Sequence, residues 1–192
     1  MSFNTISIGD GRGDGNEARV DNNYRLHVLS VTEPVIRAEN FENLAWSYTF
    51  EVTPASAGAY FFYMKNTAPV HKFAITDVRF RATSATEVDI DHVAGKPIYT
   101  NGVYSTPTSL LIGGSNTPNV IAKHATDISG LTKQGSSLYF EPMETADKLY
   151  HLKTSAGILL PRSTAIAFKN LGSNANTAIK ITVSIYEVTL EE

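Results

Sequence analysis

Two stretches of this chain alternate apolar and polar side chains with a period of two, and a β-strand covering a core on one side is what that period demands. In LAWSYTFEV, Trp46, Tyr48, Phe50 and Val52 share one face, and Ser47, Thr49 and Glu51 share the other. In AIKITVSIYEV, Ile179, Ile181, Val183 and Ile185 lie opposite Lys180, Thr182 and Ser184. The phase breaks after Ile185: Glu187 takes the next inward position, while Tyr186, Val188 and Leu190 form the apolar set. A bulge or an exit from the sheet is expected at that point. GAYFFYMKN is apolar on both faces, which suits a central strand covered twice.

YRLHVLSV, KFAITDVRFRAT, TEVDIDHV, GILL and TAIAFKN bring the total to roughly eight to ten strands, punctuated by Gly, Pro, Asn and Ser as in a sandwich. The expected fold is therefore all-β: a single antiparallel β-sandwich, jelly-roll-like, over residues 23–192, preceded by a flexible Gly-rich arm over residues 1–22. PNVIAKHATDI (118–128) and METADKLYHL (143–152) are read as sites of a short helical turn, without the long apolar stripe and caps of a full helix. TNGVYSTPTSLLIGGSNTP (100–118) reads as a long loop, broken by Asn101-Gly102, Gly113-Gly114 and two prolines.

The chain of 192 residues is long enough for one sizeable core, and 42% of it is hydrophobic against 18% charged. A net charge of −3 with scattered basic residues gives no field or groove for nucleic acid. The longest apolar runs, such as AYFFYM, fall far short of the roughly 20 residues a membrane helix needs. MSFNTISIGDG lacks the basic and apolar regions of a signal peptide, so none is expected. Absence of cysteine removes disulfides, thiolate nucleophiles and Cys-type zinc sites together.

The glycines at 9, 11, 13 and 15 invite three specific readings, and each meets an obstacle. As a calcium loop starting at Asp10, the stretch offers Arg12 at the third position between Asp10 and Asp14, and Asp21 at the twelfth. As a phosphate cradle it has Asp14 where the third glycine of GxGxxG belongs, and no strand before it. Arg12-Gly13-Asp14 matches an adhesion triplet, a pattern of three residues that arises readily by chance. A flexible arm ordered by a neighbour is the preferred reading.

Elsewhere, Glu87, Asp89 and Asp91 share one face of a strand, with His92 opposite. They could hold a hard cation if a loop supplied more oxygens; a solvated outer face that discourages edge pairing is the preferred reading. His27, His71, His92, His124 and His151 show no HxH, HxxxH or HExxH spacing, and no GxSxG elbow occurs. No catalytic, cofactor-binding or metal-binding residue is assigned, no cofactor is expected, and the protein is read as non-enzymatic.

Three passages carry a family likeness. Ala18, Val20, Asp21, Asn23, Arg25, Leu26 and Val28 form a line of the type A-x-V-(D/N)-x-(D/N)-x-R-L-x-V after a Gly-rich leader. In AYFFYMKNTAPVHKFAITDVRF an apolar strand ends in Lys65-Asn66 and the next begins x-I-x-x-V. Near the C-terminus a proline-headed strand (Pro161 to Lys169) passes through the polar turn Gly172 to Asn176 into a final amphipathic strand. In these patches, covering about half the chain, the sequence resembles virion structural proteins of tailed bacteriophages with a jelly-roll-like β-sandwich. The resemblance implies a capsid decoration or cement protein that binds and stabilises the head lattice. The implied partners are the major capsid protein or neighbouring virion proteins, and a homo-oligomer, a trimer favoured, with no nucleic acid or membrane. The location implied is the virion, assembled in the host cytoplasm.

The alternative is a tail, neck or fibre-associated component acting in assembly or in receptor or carbohydrate binding, with the 100–118 loop, Tyr99 and Tyr104 carrying recognition. An enzyme on a jelly-roll scaffold, a cupin or glycosidase, is the third class, and it lacks the ligand spacing a cupin needs.

Overall fold

The structure is a computed structural model describing residues 19–20, 26–27, 44–172 and 177–188, the side chains of 19–20, 26–27 and 153–156 excepted. The chain divides into two compact units, Met1–Pro34 and Val35–Glu192. In the first, β1 (Arg19–Val20) pairs antiparallel with β2 (Leu26–His27). The arm expected over residues 1–22 and the glycine stretch lie, Arg19 and Val20 apart, outside the described residues, as does most of the strand expected at 24–31.

The second unit is all-β, with no helix among the described residues. Its strands are β3 (Ala45–Val52), β4 (Tyr60–Asn66), β5 (Lys72–Ala82), β6 (Thr86–Thr100), β7 (Val103–Tyr104) and β8 (Pro107–Ser109), then β9 (Val120–Lys133), β10 (Tyr139–Met143), β11 (Leu149–Leu160), β12 (Ala165–Asn170) and β13 (Ile179–Val188). They form two antiparallel sheets, ordered β11-β5-β13-β3-β8 and β10-β6-β12-β4-β9-β7. From β3 to β6 the chain alternates between the two sheets, and from β10 to β13 it does so again.

The alternating segments form the layer between the sheets. Trp46, Tyr48, Phe50 and Val52 from β3, and Ile179, Ile181, Val183 and Ile185 from β13, are all buried there. Phe50 stacks on Phe62 of the facing sheet with ring centroids 4.6 Å apart. The bulge or exit expected in β13 after Ile185 is corrected: β13 pairs without a break along β3 through Tyr186 and stays in register with β5 to Val188. The irregularity belongs to β5, which carries one extra residue, Thr76, between the partners of Ser184 and Ile185.

Both short helical turns expected from sequence are corrected by the structure. Residues 120–128 belong to β9, which pairs along β4. Residues 143–152 comprise the end of β10, a turn and the start of β11. Neither segment carried helix caps, so an open sheet edge offering backbone partners outweighs a weak helical preference. The 100–118 segment is also more structured than a plain loop. β7 pairs with β9 in one sheet and β8 with β3 in the other, while the Trp46 indole N–H donates to the Asn116 carbonyl at 2.9 Å.

β9 leaves β4 and then pairs with the far half of β6, Val93 opposite Lys133 and Tyr99 opposite Ile128, closing a circuit β6-β12-β4-β9-β6. The turn-over occurs at a register break between Gly95 and Ile98. Gly95 (φ 108°) and Gly130 (φ 73°) adopt left-handed conformations there, and a Cβ on Gly130 would lie 2.5 Å from the Lys96 carbonyl oxygen. Only glycine allows that approach. The curled strands enclose a second small core of Tyr63, Val93, Ala125, Ile128, Ala165 and Ala167 on the side of the sheet facing away from the main one.

Candidate functional site

The surface around β7 gathers aromatic rings and a cation. Lys123 of β9 stands directly opposite Tyr63 of β4 and Tyr104 of β7, and residues paired this way project from the same face. Tyr63 is buried and meets Tyr99 of β6 edge-on, with ring centroids 6.4 Å apart. The Lys123 ammonium lies 3.7 Å from the Tyr104 ring centroid and 4.7 Å from that of Tyr99. Such contacts contribute about 0.5–1 kcal/mol at exposed positions and hold the rings at a set angle. Tyr104 remains 68% exposed, and Val103, Ile98 and Ile121 nearby in the pairing are also exposed. Burial, with Tyr63 and Tyr104 as neighbours, pushes the Tyr99 hydroxyl up to about 12, so it stays a neutral donor across the physiological range. An open ring face, a fixed ammonium and hydroxyl donors suit stacking and hydrogen bonding of a sugar or peptide.

The structure thus joins Tyr99 and Tyr104, the two tyrosines singled out from sequence, through a residue that sequence reading missed. Lys123 lies in the stretch read as a helical turn, and nothing local marks it.

The acidic strand face departs from expectation. Asp89 and Asp91 do not line a solvated outer face: they are 8% and 0% exposed, because the curled β9 covers them. The Lys133 ammonium lies 2.8 Å from Asp91 Oδ1 and 3.9 Å from Asp89 Oδ2. Tyr60 donates to Asp91 Oδ2 and Ser137 to Asp89 Oδ2, both at 2.9 Å. Burial alone would raise the Asp91 carboxyl, but Lys133, Ser137 and Tyr60 override it and hold it below the ordinary carboxylate range. The chain's own ammonium therefore occupies the position a cation would take. Among the described residues, no group of three or more His, Asp and Glu is placed to hold a metal ion. Asp10 and Asp14 lie outside them.

The histidines stand in separate settings. His71 meets Glu187 at 3.1 Å, and His151 bonds Asp77, which also pairs with Arg79 at 2.9 Å. His124 stacks on Phe50 at 4.9 Å, and its Nδ1 shares a hydrogen bond with Ser105 Oγ at 2.9 Å. Burial lowers its pKa below the ordinary 6.5. The unfolded chain then binds a proton at His124 before the folded one does, so stability falls as pH drops below 6.5 toward the folded value. Urea midpoints measured between about pH 7.5 and 5.5 are expected to fall, with a shallower slope in His124→Gln. Equal slopes would remove His124 as the cause. Asp91 acts in a separate window: its contribution is present above 3.8 and lost as pH falls through its lower folded value.

A polar hollow of about 200 Å³, lined by Glu51, Arg81, Thr83, Asp147 and Lys180 among others, lies on the other sheet. It is below the size of a pocket that engulfs a small-molecule substrate.

No protein-family model matches the chain, and no curated protein matches it.

Proposed function

We propose that this protein is a non-enzymatic structural component of a tailed-bacteriophage particle, a decoration or cement protein that seats on the head lattice. The observation that carries the reading is the strand order. The orders β11-β5-β13-β3 in one sheet and β10-β6-β12-β4 in the other support reading the two sheets as a jelly roll of two interlocked Greek keys. β7, β8 and β9 are then an insertion between the two strands β6 and β10. The jelly roll recurs in viral capsid proteins, lectins and cupins, so the fold narrows the function without naming it. The sequence resemblance to phage virion proteins supports the first of these. Apolar side chains left exposed at the sheet edges, Leu138, Phe140, Leu149 and Leu159, fit repeated contacts with neighbouring virion proteins or with further copies in a trimer. The leader, residues 1–22, is assigned the part of an arm that adds to a neighbouring subunit.

The second reading, a tail, neck or fibre component that binds a receptor or carbohydrate, is favoured by one specific observation: the Tyr99–Tyr104–Lys123 surface.

One experiment weighs both. Purified recombinant protein is mixed with expanded capsids lacking it, and with a glycan panel and host cells, as wild type, as a deletion of residues 1–22 and as Tyr104→Ala. Decoration at many copies per particle, weakened by the deletion, is expected. Glycan or cell binding that disappears in Tyr104→Ala moves the assignment to the receptor-binding reading. Absence of binding to any particle sinks the virion assignment.

A further inference from the structure

We propose that Lys133 and Asp91 condense without an added enzyme to an intramolecular isopeptide bond that welds β9 to β6. Asp89 carries the protons and Tyr60 steadies the carboxyl group. This inference rests on the buried cluster alone and is independent of the virion assignment.

The reacting groups are held before reaction. Lys133 is paired opposite Val93, and Asp91 lies two residues along on the same face, so the strand register delivers the ammonium to the carboxylate. The nitrogen lies 2.8 Å from Asp91 Oδ1. That oxygen is buried and takes no hydrogen bond from a hydroxyl or a backbone N–H, which leaves the Lys133 ammonium as the group in contact with it. The other oxygen accepts the Tyr60 hydroxyl at 2.9 Å. Asp89, fixed by Ser137, keeps Oδ2 within 3.9 Å of the same nitrogen, and Lys133 Nζ also donates to Ser137 Oγ at 2.6 Å. Well-oriented intramolecular partners reach effective concentrations on the order of 10⁵ M or more, which drives condensations that fail between dilute partners in water.

The step balances. Asp89 takes one proton from the Lys133 ammonium and passes it to Asp91 Oδ1, so that a neutral amine attacks Cγ of a neutral carboxylic acid, forming the Nζ–Cγ bond. Negative charge gathering on Oδ2 is met by the Tyr60 hydroxyl. Asp89 then relays the second nitrogen proton to the Oδ1 hydroxyl, and the Cγ–Oδ1 bond breaks with loss of water. An ammonium and a carboxylate give one secondary amide and one water, with no oxidant, and the net charge of the cluster is unchanged. Lys133 is 35% exposed, which leaves the water a way out.

The test is the intact mass of purified, denatured wild-type protein. A deficit of one water is expected, with trypsin failing to cleave after Lys133 and the peptides carrying Asp91 and Lys133 recovered as one branched species. Asp91→Asn is expected to form the same link with loss of one ammonia instead. Lys133→Arg keeps the charge and is expected at full mass. Folded wild-type protein at full mass after prolonged incubation overturns the proposal. So does a water deficit confined to Asp91 with normal cleavage at Lys133, which marks a cyclic imide.

Discussion

Replacing Phe168 by alanine is expected to lower the unfolding free energy by about 3–5 kcal/mol, with the urea midpoint falling and the slope unchanged. Phe168 sits in β12, between β4 and β6, and is fully buried. Its ring meets Phe61 at 6.4 Å, Phe62 at 5.0 Å and Phe80 at 5.9 Å. Phe80 belongs to β5 of the opposite sheet, so one side chain ties both layers. Deleting it leaves a void that backbone ladders on both sides of β12 prevent from collapsing. Domains of this kind hold about 5–15 kcal/mol in total, so the variant loses about a fifth of its stability or more. A loss below about 1 kcal/mol, the ordinary cost of a point mutation, would contradict this account of the core.

Asn66→Ala is the second large effect, and here the cost is polar. Asn66 is fully buried at the end of β4. Its amide donates to the carbonyls of His71 at 2.9 Å and Leu160 at 3.0 Å, and its Oδ1 accepts the Ala68 N–H at 2.8 Å. Alanine leaves these three backbone groups without their partner, two of them in buried bonds and the His71 carbonyl in a part-buried one, each costing up to about 1–3 kcal/mol less whatever local relaxation or solvent recovers. A total of about 2–4 kcal/mol is expected in the same urea measurement. Asn66→Asp keeps the shape but loses both donations, and is expected to be at least as destabilising. Full stability in Asn66→Asp would mean that the two carbonyls find other donors. Asn170, at the end of β12, repeats the device. It accepts from Thr86 Oγ1 at 2.7 Å and from the Gly172 N–H at 3.2 Å. Both residues follow a lysine at a strand end, Lys65-Asn66 and Lys169-Asn170, where the chain leaves the sheet.

The strands that could be read from sequence were those whose one buried face produced a clean period of two, β3 and β13 above all. β9 escaped because its two faces are covered differently along its length. Ala122 packs into the main core, whereas Ala125 and Ile128 serve the second one and Lys123 is half-buried beside it. No single period describes such a strand. Tyr104 was legible as a recognition candidate from its place in a polar, Gly- and Pro-punctuated segment. Its partner Lys123 was not, because only the pairing of β7 with β9 brings them together.

Asp89 and Asp91 show the same division most sharply. Their spacing placed them together on one strand face, and the structure agrees. Whether that face met water depended on partners that the strand itself does not contain: the Gly95–Gly130 turn-over that brings β9 across, and the Lys133 charge that makes burial of two carboxylates tolerable. Alternation and composition by themselves determined that the chain is all-β and which side chains face the core of β3 and β13, because side-chain direction along a strand is a local property. Strand order, the closed circuit, and the companions of Tyr104 and Asp91 were decided only in three dimensions, because pairing energy belongs to segments far apart in the chain and leaves no mark on either one alone.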